Sequence, residues 1–470
     1  MASRALIILP VLCACRGSTK DADAPRAPET EPPFISVRDA GSALTRARRG
    51  AEGCPATDDR ARWGAGTLHG DTARGSETWT RVGSPHRVPY GIHLLAGAQV
   101  TIEPCAVVAV GGGRDVVVQG DAALIAVGDV GAPVLFTSLA PQPNPGDWVG
   151  IEIRAHALPS TRFGQTTVEF AGASRGVPGE PAAAIRSWTR SGLSISNVRV
   201  TASAGYGVAM LDDAGFSSDA VGLTIEGSHG EGALYFADVD RVSSTPPGRY
   251  VGNARDEIVL AAAQRVVSNE STWRALAGGA RYRVRRAARV IVNGAESPRL
   301  NLVPGTEVAF DEDAELVVGD ELPGALRAVG EEPTKPVVLT SAARPAARAS
   351  WVGVVLGVHT DLTRTALRAV TLAGAGAVAT GVFDTCWPLP AGAVEPRGML
   401  FLQGVSRDDL VSHVRFQAGP ADGVAIVRTG APALGFADFT RVSLCNDFAL
   451  AGVRAPQTNP PGASGCVPSH

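Results

Sequence analysis

Three groups of residues in this chain have types and spacing that could do chemistry. Asp212 and Asp213 form a carboxylate pair, and His229 follows sixteen residues past Asp213. Brought into one groove, they would supply a general acid, a general base and a hydrogen-bonding imidazole, the equipment of a glycoside hydrolase. The run FDEDAEL places Asp311, Asp313 and Glu315 close together beside Glu312. These are oxygen ligands of the kind a hard cation such as calcium takes. In RYRVRRAARV, Arg281, Arg283 and Arg285 alternate with Tyr282 and Val284, so a strand would carry all three guanidinium groups on one side. Such a stripe suits acidic sugars, the phosphates of lipopolysaccharide, or a protein partner.

Each group also has a plainer use. Asp and Gly are what turns require, no Gly-x-Asp ligand loop accompanies the acidic run, and charge runs commonly only solvate a face. On that balance the chain is read without a catalytic centre, metal or cofactor, and the arginine stripe is the leading binding surface. Asp212, Asp213 and His229 are kept as the catalytic alternative, and Asp311, Asp313 and Glu315 as the metal alternative. The eight histidines form no His-Glu-x-x-His pair. No phosphate loop or dinucleotide fingerprint occurs either.

The elements that must position these groups are short and repeated. Pieces rich in Val, Ile and Phe begin at Val100, Val116, Val134, Ile151 and Val168, sixteen to eighteen residues apart, and again at Val337, Val354 and Val370. Each is three to five residues long and is bounded by Gly, Pro, Asp or Asn, the pattern of strands separated by turns. A strand this short cannot bury its apolar face alone. Stacked on the next at about 4.8 Å, it can, and its backbone groups then pair with neighbouring rungs. Two-residue hairpin signals are scarce, so a solenoid is expected in preference to a sandwich. DEIVLAAAQRVV, from Asp256, is the one stretch that reads as a short helix.

A longer repeat overlies this one. Ala132–Ile153, APVLFTSLAPQPNPGDWVGIEI, is echoed by KPVVLTSAARPAARASWVGVVL at Lys335–Leu356, with Ser138 and Ser341, and Trp148 and Trp351, each 203 residues apart. Upstream, ETW at Glu77 matches STW at Ser271, and LLAGAQVTIEPCAVVAV at Leu94 parallels NLVPGTEVAFDEDAELVV at Asn301. Downstream, SNVRV at Ser196 parallels SHVRF at Ser412, which aligns Asn197 with His413. The chain therefore reads as two copies of one unit, with PVLFTS and WVGIEI as successive rungs of it. Neither acidic group is shared between the copies.

These quoted stretches resemble right-handed parallel β-helix repeat proteins, the pectate-lyase-like superfold, over about 90–240 and 300–450. The expected fold class is all-β: a right-handed parallel β-helix, duplicated. The second copy carries the Pro-Gly of that pattern as Pro304-Gly305, while the first has Ala96-Gly97 and places Pro104 later. In the polygalacturonase-like subset, the resemblance implies an Asp trio followed by Gly-His-Gly. Here Ser228 replaces the first Gly, and the Asn-Thr-Asp element and the trailing Arg-x-Lys are missing. The superfold hosts lyases, hydrolases, adhesins and surface proteins, so it does not choose among them.

The N-terminus bears on location. MASR is followed by the apolar ALIILPVL, too short to span a bilayer as a mature helix, and then by LCAC. That order resembles a bacterial lipoprotein signal with Cys15 as the acylated residue, which implies a lipid anchor. Cys13, two before the cysteine, departs from the usual small residue there. The alternative, an ordinary cleaved signal, also exports the protein. Acylation would leave five of the mature cysteines, an odd number, among which Cys445 and Cys466 are closest in sequence and form the expected pair. The run RGSTKDADAPRAPETEPP lacks any apolar period and reads as a tether.

The expected organisation is signal 1–14, tether 15–62, first unit 63–245, junction 246–298 and second unit 299–470. With 470 residues, 45% hydrophobic and 19% charged, the chain can bury a large core. A net charge of -3 argues against nucleic acid as a partner. The functional expectation is an exported, outer-membrane or cell-surface lipoprotein that binds glycan or protein without catalysis. The alternative is a polysaccharide lyase or glycoside hydrolase acting on acidic polysaccharide.

Overall fold

The structure, a computed structural model, describes residue 54, residues 66–377 apart from 262–263, 267–269 and 348–349, and the segments 398–403, 410–417, 422–427 and 437–440. Cys15, Cys445 and Cys466 lie outside the described residues. Within them the chain is a parallel β-helix. Every pair of named strands is parallel, and one six-residue 3-10 helix, Val239–Ser244, is the only helix among the named elements of the described residues. No helix among them is long and apolar enough to cross a membrane.

One coil consists of three strands on three faces. Gln99–Ile102, Val107–Val110 and Asp115–Val118 make such a coil, and Ala123–Val127, Val134–Ser138 and Gly150–Ile153 make the next. Val100 pairs with Leu124, Val108 with Phe136, and Val116 with Ile151. PVLFTS and WVGIEI are therefore consecutive strands of one coil on different faces, not successive rungs. The sixteen- to eighteen-residue spacing mixes two steps: from Val100 through Val116 to Val134 it skips a strand each time, and from Val134 through Ile151 to Val168 it passes to the next strand.

The core is a set of stacked ladders. On one face the inward column runs Val116, Ile151, Ile185, Val208, Leu234, Ile258, Tyr282, Val308 and Leu339, each paired with the next. All nine side chains are buried, and each contributes roughly 1.5–3 kcal/mol by leaving water. The stretch from Asp256 supplies the strand Glu257–Leu260 to this stack and the strand Gln264–Val266 to another sheet, where it pairs with Arg289–Val292, and its described residues form no helix. Partners on both sides, Leu234–Phe236 and Arg281–Val284, override the local helical pattern, since strand preference is set by packing context.

The copies correspond strand by strand, and their indole anchors coincide. Trp148 Nε1 donates to the Glu169 carbonyl at 2.8 Å, and Trp351 Nε1 to the Ala373 carbonyl at 2.9 Å. Asn197 and His413 both sit in left-handed backbone, each with φ 54°, where they kink a long strand between two faces. The corner of Pro304-Gly305, with Gly305 at φ 81°, is occupied in the first copy by Pro104-Cys105, with Cys105 at φ 66°. The sequence match through Ala96-Gly97 is therefore one strand out of register. Cys105 is disulfide-bonded to Cys54, with Cα atoms 5.0 Å apart.

The second copy restarts one face further round the coil. Glu257–Leu260 continues the third-strand face of the first copy, and it pairs onward with Arg281–Val284, the counterpart of the middle strand His86–Val88. One sheet face thus runs unbroken from the first copy into the second, and the segment 246–298 supplies rungs of it.

Candidate functional site

The outer surface of that unbroken face is the candidate site, because the arginine stripe lies on it. Outward residues alternate with the inward column just described. Reading along the rungs, Glu152, Arg186, Ala209, Tyr235, Val259 and Arg283 occupy one outward row. Two residues further along each strand, Arg154, Trp188, Leu211, Ala237, Ala261 and Arg285 form the next. The face has a charged end, an apolar middle and a second charged end.

At the first charged end Glu152 is fully buried, and Arg154, Arg175 and Arg186 all pair with it. Arg175 also pairs with Asp115, and Arg186 lies 3.6 Å from Glu180. Three carboxylates thus face three guanidinium groups. Burial pushes the Glu152 carboxyl above its usual range despite Arg186, Arg154 and Arg175, and burial likewise lowers Arg186. The Arg154 guanidinium lies 4.3 Å over the Trp188 ring, a cation–π contact.

The middle is apolar although it points outward. Ala183, Tyr206, Ala209, Leu211, Tyr235 and Val259 are buried together, with Trp188, Ala237 and Ala261 against them. The Tyr206 and Tyr235 rings are 5.4 Å apart and tilted by 53°. Burial raises both phenols above the usual range.

The second charged end holds the expected stripe. Arg281 is buried between cross-strand neighbours, with Nη2 2.7 Å from Glu257 and Nη1 3.4 Å from Glu307. Arg283 makes a forked bond to Asp311, Nε to Oδ1 at 3.0 Å and Nη2 to Oδ2 at 2.8 Å, the geometry guanidinium favours with a carboxylate. Arg285 is the open member, 3.5 Å from Glu231. Arg283, Arg285, Arg286 and Arg255 line a groove of about 560 Å³ with Glu231, Asp311 and Glu312. Arg286 pairs with Glu312 at 3.1 Å, whereas Arg255 pairs with no carboxylate among the described residues. The three arginines therefore share a face, as the alternation implied, but at graded depth.

The other two groups are not gathered. His229 lies beside the start of strand Tyr206–Met210, its backbone N–H donating to the Ser203 carbonyl at 2.9 Å. Asp212 and Asp213 follow the other end of that strand, which spans about 13 Å at about 3.3 Å per residue. Asp213 instead meets Arg190 at 2.9 Å, and Asp212 occupies a left-handed turn with φ 51°. Asp311 is held by Arg283, Asp313 is a turn residue with φ 59°, and Glu315 pairs with Arg289 on another face. Burial pushes the Glu315 carboxyl above its usual range, with Arg289 opposing. Among the described residues no group of three or more His, Cys, Asp or Glu side chains gathers as a metal site.

Sequence reasoning missed Glu152, Tyr206 and Tyr235, which lie far apart in the chain and meet only through the ladder. It also missed a pair at the N-terminal end. His86 Nε2 is 2.8 Å from the Thr80 carbonyl and its Nδ1 is 2.9 Å from His69 Nε2, with Trp79 stacked on the His86 ring and tilted by 33° against that of His69. Burial lowers both histidines. No known protein family, curated protein or solved structure matches the chain.

Proposed function

We propose that this is an exported, lipid-anchored cell-surface protein that binds anionic glycan, without turning it over, at the second charged end of its long sheet face. The observation that carries the reading is the groove lined by Arg255, Arg283, Arg285 and Arg286. It lies next to outward aromatic rings on a face built from both copies. Arginine offers planar, forked donors that match carboxylate and sulfate groups, and aromatic rings offer flat apolar surface with a polar tip. The resemblance to pectate-lyase-like β-helix proteins, with their right-handed coil, is part of the same proposal. The separation of Asp212 and Asp213 from His229 weighs against hydrolysis by those groups, because an acid and a base must reach one bond together.

Export is supported by the lipoprotein-like order of residues around Cys15, and the Cys54–Cys105 disulfide suits an oxidising compartment. Metabolic labelling with an alkynyl palmitate analogue is expected to mark the protein, and Cys15→Ala to abolish the mark. For the groove, calorimetric titration of the full chain with polygalacturonate should give binding that weakens as salt rises, with no binding to neutral dextran. Replacing Arg255 and Arg285 together by Ala should weaken it at least tenfold, about 1.4 kcal/mol. Equal binding of charged and neutral polymers would overturn the reading, and release of new chain ends would favour the lyase or hydrolase alternative.

A further inference from the structure

We infer that Glu231 holds the place of a ligand carboxylate, and that its ion pair with Arg285 is a strap which a bound acidic sugar opens to reach Tyr206 and Tyr235. The inference rests on the binding reading above and adds to it the regulation of the same groove.

Glu231 precedes the strand Leu234–Phe236, and Arg285 follows the strand Arg281–Val284. The register Leu234–Ile258–Tyr282 puts these strands two rungs apart, with Glu257–Leu260 between them. A 3.5 Å ion pair between opposite ends of such strands must cross the rung between them. Beside that crossing, Tyr206, Tyr235 and Val259 form an outward apolar shelf, yet they are only 6%, 8% and 0% exposed. Side chains on an outer face are hidden only where something lies over them. Ala237 and Ala261, which pack against the tyrosines, share the outward row of Arg285, and Glu231 and Arg285 are among the charges acting on both phenols.

The strap is weakly held. Its side chains are 45% and 53% exposed, and exposed ion pairs contribute little because water competes for both partners. Arg255, in the same groove, has no carboxylate partner among the described residues. A sugar acid offers a carboxylate to Arg285 and Arg255 in place of Glu231, and its ring face then covers the tyrosines that Glu231 leaves. The exchange forms one guanidinium–carboxylate contact as it breaks another, so the cost of opening is small.

The test is Glu231→Gln, which keeps the shape and removes the competing charge. Wild type and variant are titrated with hexagalacturonate and with maltohexaose, and tyrosine nitration by tetranitromethane is followed without ligand. The variant should bind hexagalacturonate about threefold to tenfold more tightly, leave maltohexaose unchanged, and show faster nitration. Unchanged or weaker uronate binding by the variant, with wild type binding, overturns the strap. If neither protein binds uronate, the binding reading fails; faster nitration would then still support the strap, and unchanged nitration would end it too.

Discussion

Two arginine clusters occupy one sheet face, five rungs and roughly 24 Å apart at about 4.8 Å per rung, and they are in opposite states. Around Glu152 three guanidinium groups and three carboxylates are closed over one another, and Glu152 and Arg186 are shut off from water. Around Arg285 the same residue types lie open along a groove, and Arg255 is left over. The difference lies in what surrounds each charge. Where neighbouring rungs supply an acid on every side, arginine becomes scaffold. Where the copies join and the second restarts one face round, the pairing runs out and cations remain available.

The comparison breaks most readily at Glu152. Glu152→Ala leaves Arg154, Arg175 and Arg186 facing one another in a buried site, and removing one partner of such a network costs about 3–5 kcal/mol. Urea unfolding followed by tryptophan fluorescence measures it. A loss under about 1 kcal/mol would mean that water reaches the cluster, and the two ends of the face would then be alike.

Arg283 stands between the two states, with its side chain 13% exposed. Arg283→Ala strands Asp311, which accepts both prongs of the fork, and removes one neighbour of Glu257. The expected loss is about 1–3 kcal/mol, the cost of leaving a partly buried acceptor unsatisfied. The same urea titration reads it. A loss as large as that of Glu152→Ala would move Arg283 into the scaffold and shrink the groove to Arg255, Arg285 and Arg286.

How much of this was legible in the sequence follows from range. Strand alternation around Tyr282 and Val284 is local, so the fold class and the shared side of Arg281, Arg283 and Arg285 could be read directly. The Trp148 and Trp351 echo revealed the duplication because both indoles serve the same corner. Burial of Arg281 could not be read, because its partners Glu257 and Glu307 stand 24 and 26 residues away. Only the register makes them neighbours. The Pro104-Cys105 corner was misaligned for a related reason: the pattern sought a glycine at positive φ, and a disulfide-bonded cysteine occupies that conformation instead.

The smallest effect on stability is expected at Arg285, and it sharpens the comparison most. Its only carboxylate partner among the described residues is Glu231, at 3.5 Å and with both side chains about half exposed. Arg285→Ala should therefore change unfolding free energy by no more than about 1 kcal/mol, the range for exposed ion pairs. If the open cluster is there to meet a ligand, the same substitution should weaken hexagalacturonate binding by roughly tenfold, the worth of one lost charge-assisted hydrogen bond. Stability and affinity would then part company at Arg285 and fall together at Glu152, where a damaged scaffold carries the groove down with it. Parallel urea and calorimetric titrations of the two variants decide this, and an Arg285→Ala protein that loses stability while keeping its affinity would place Arg285 in the scaffold.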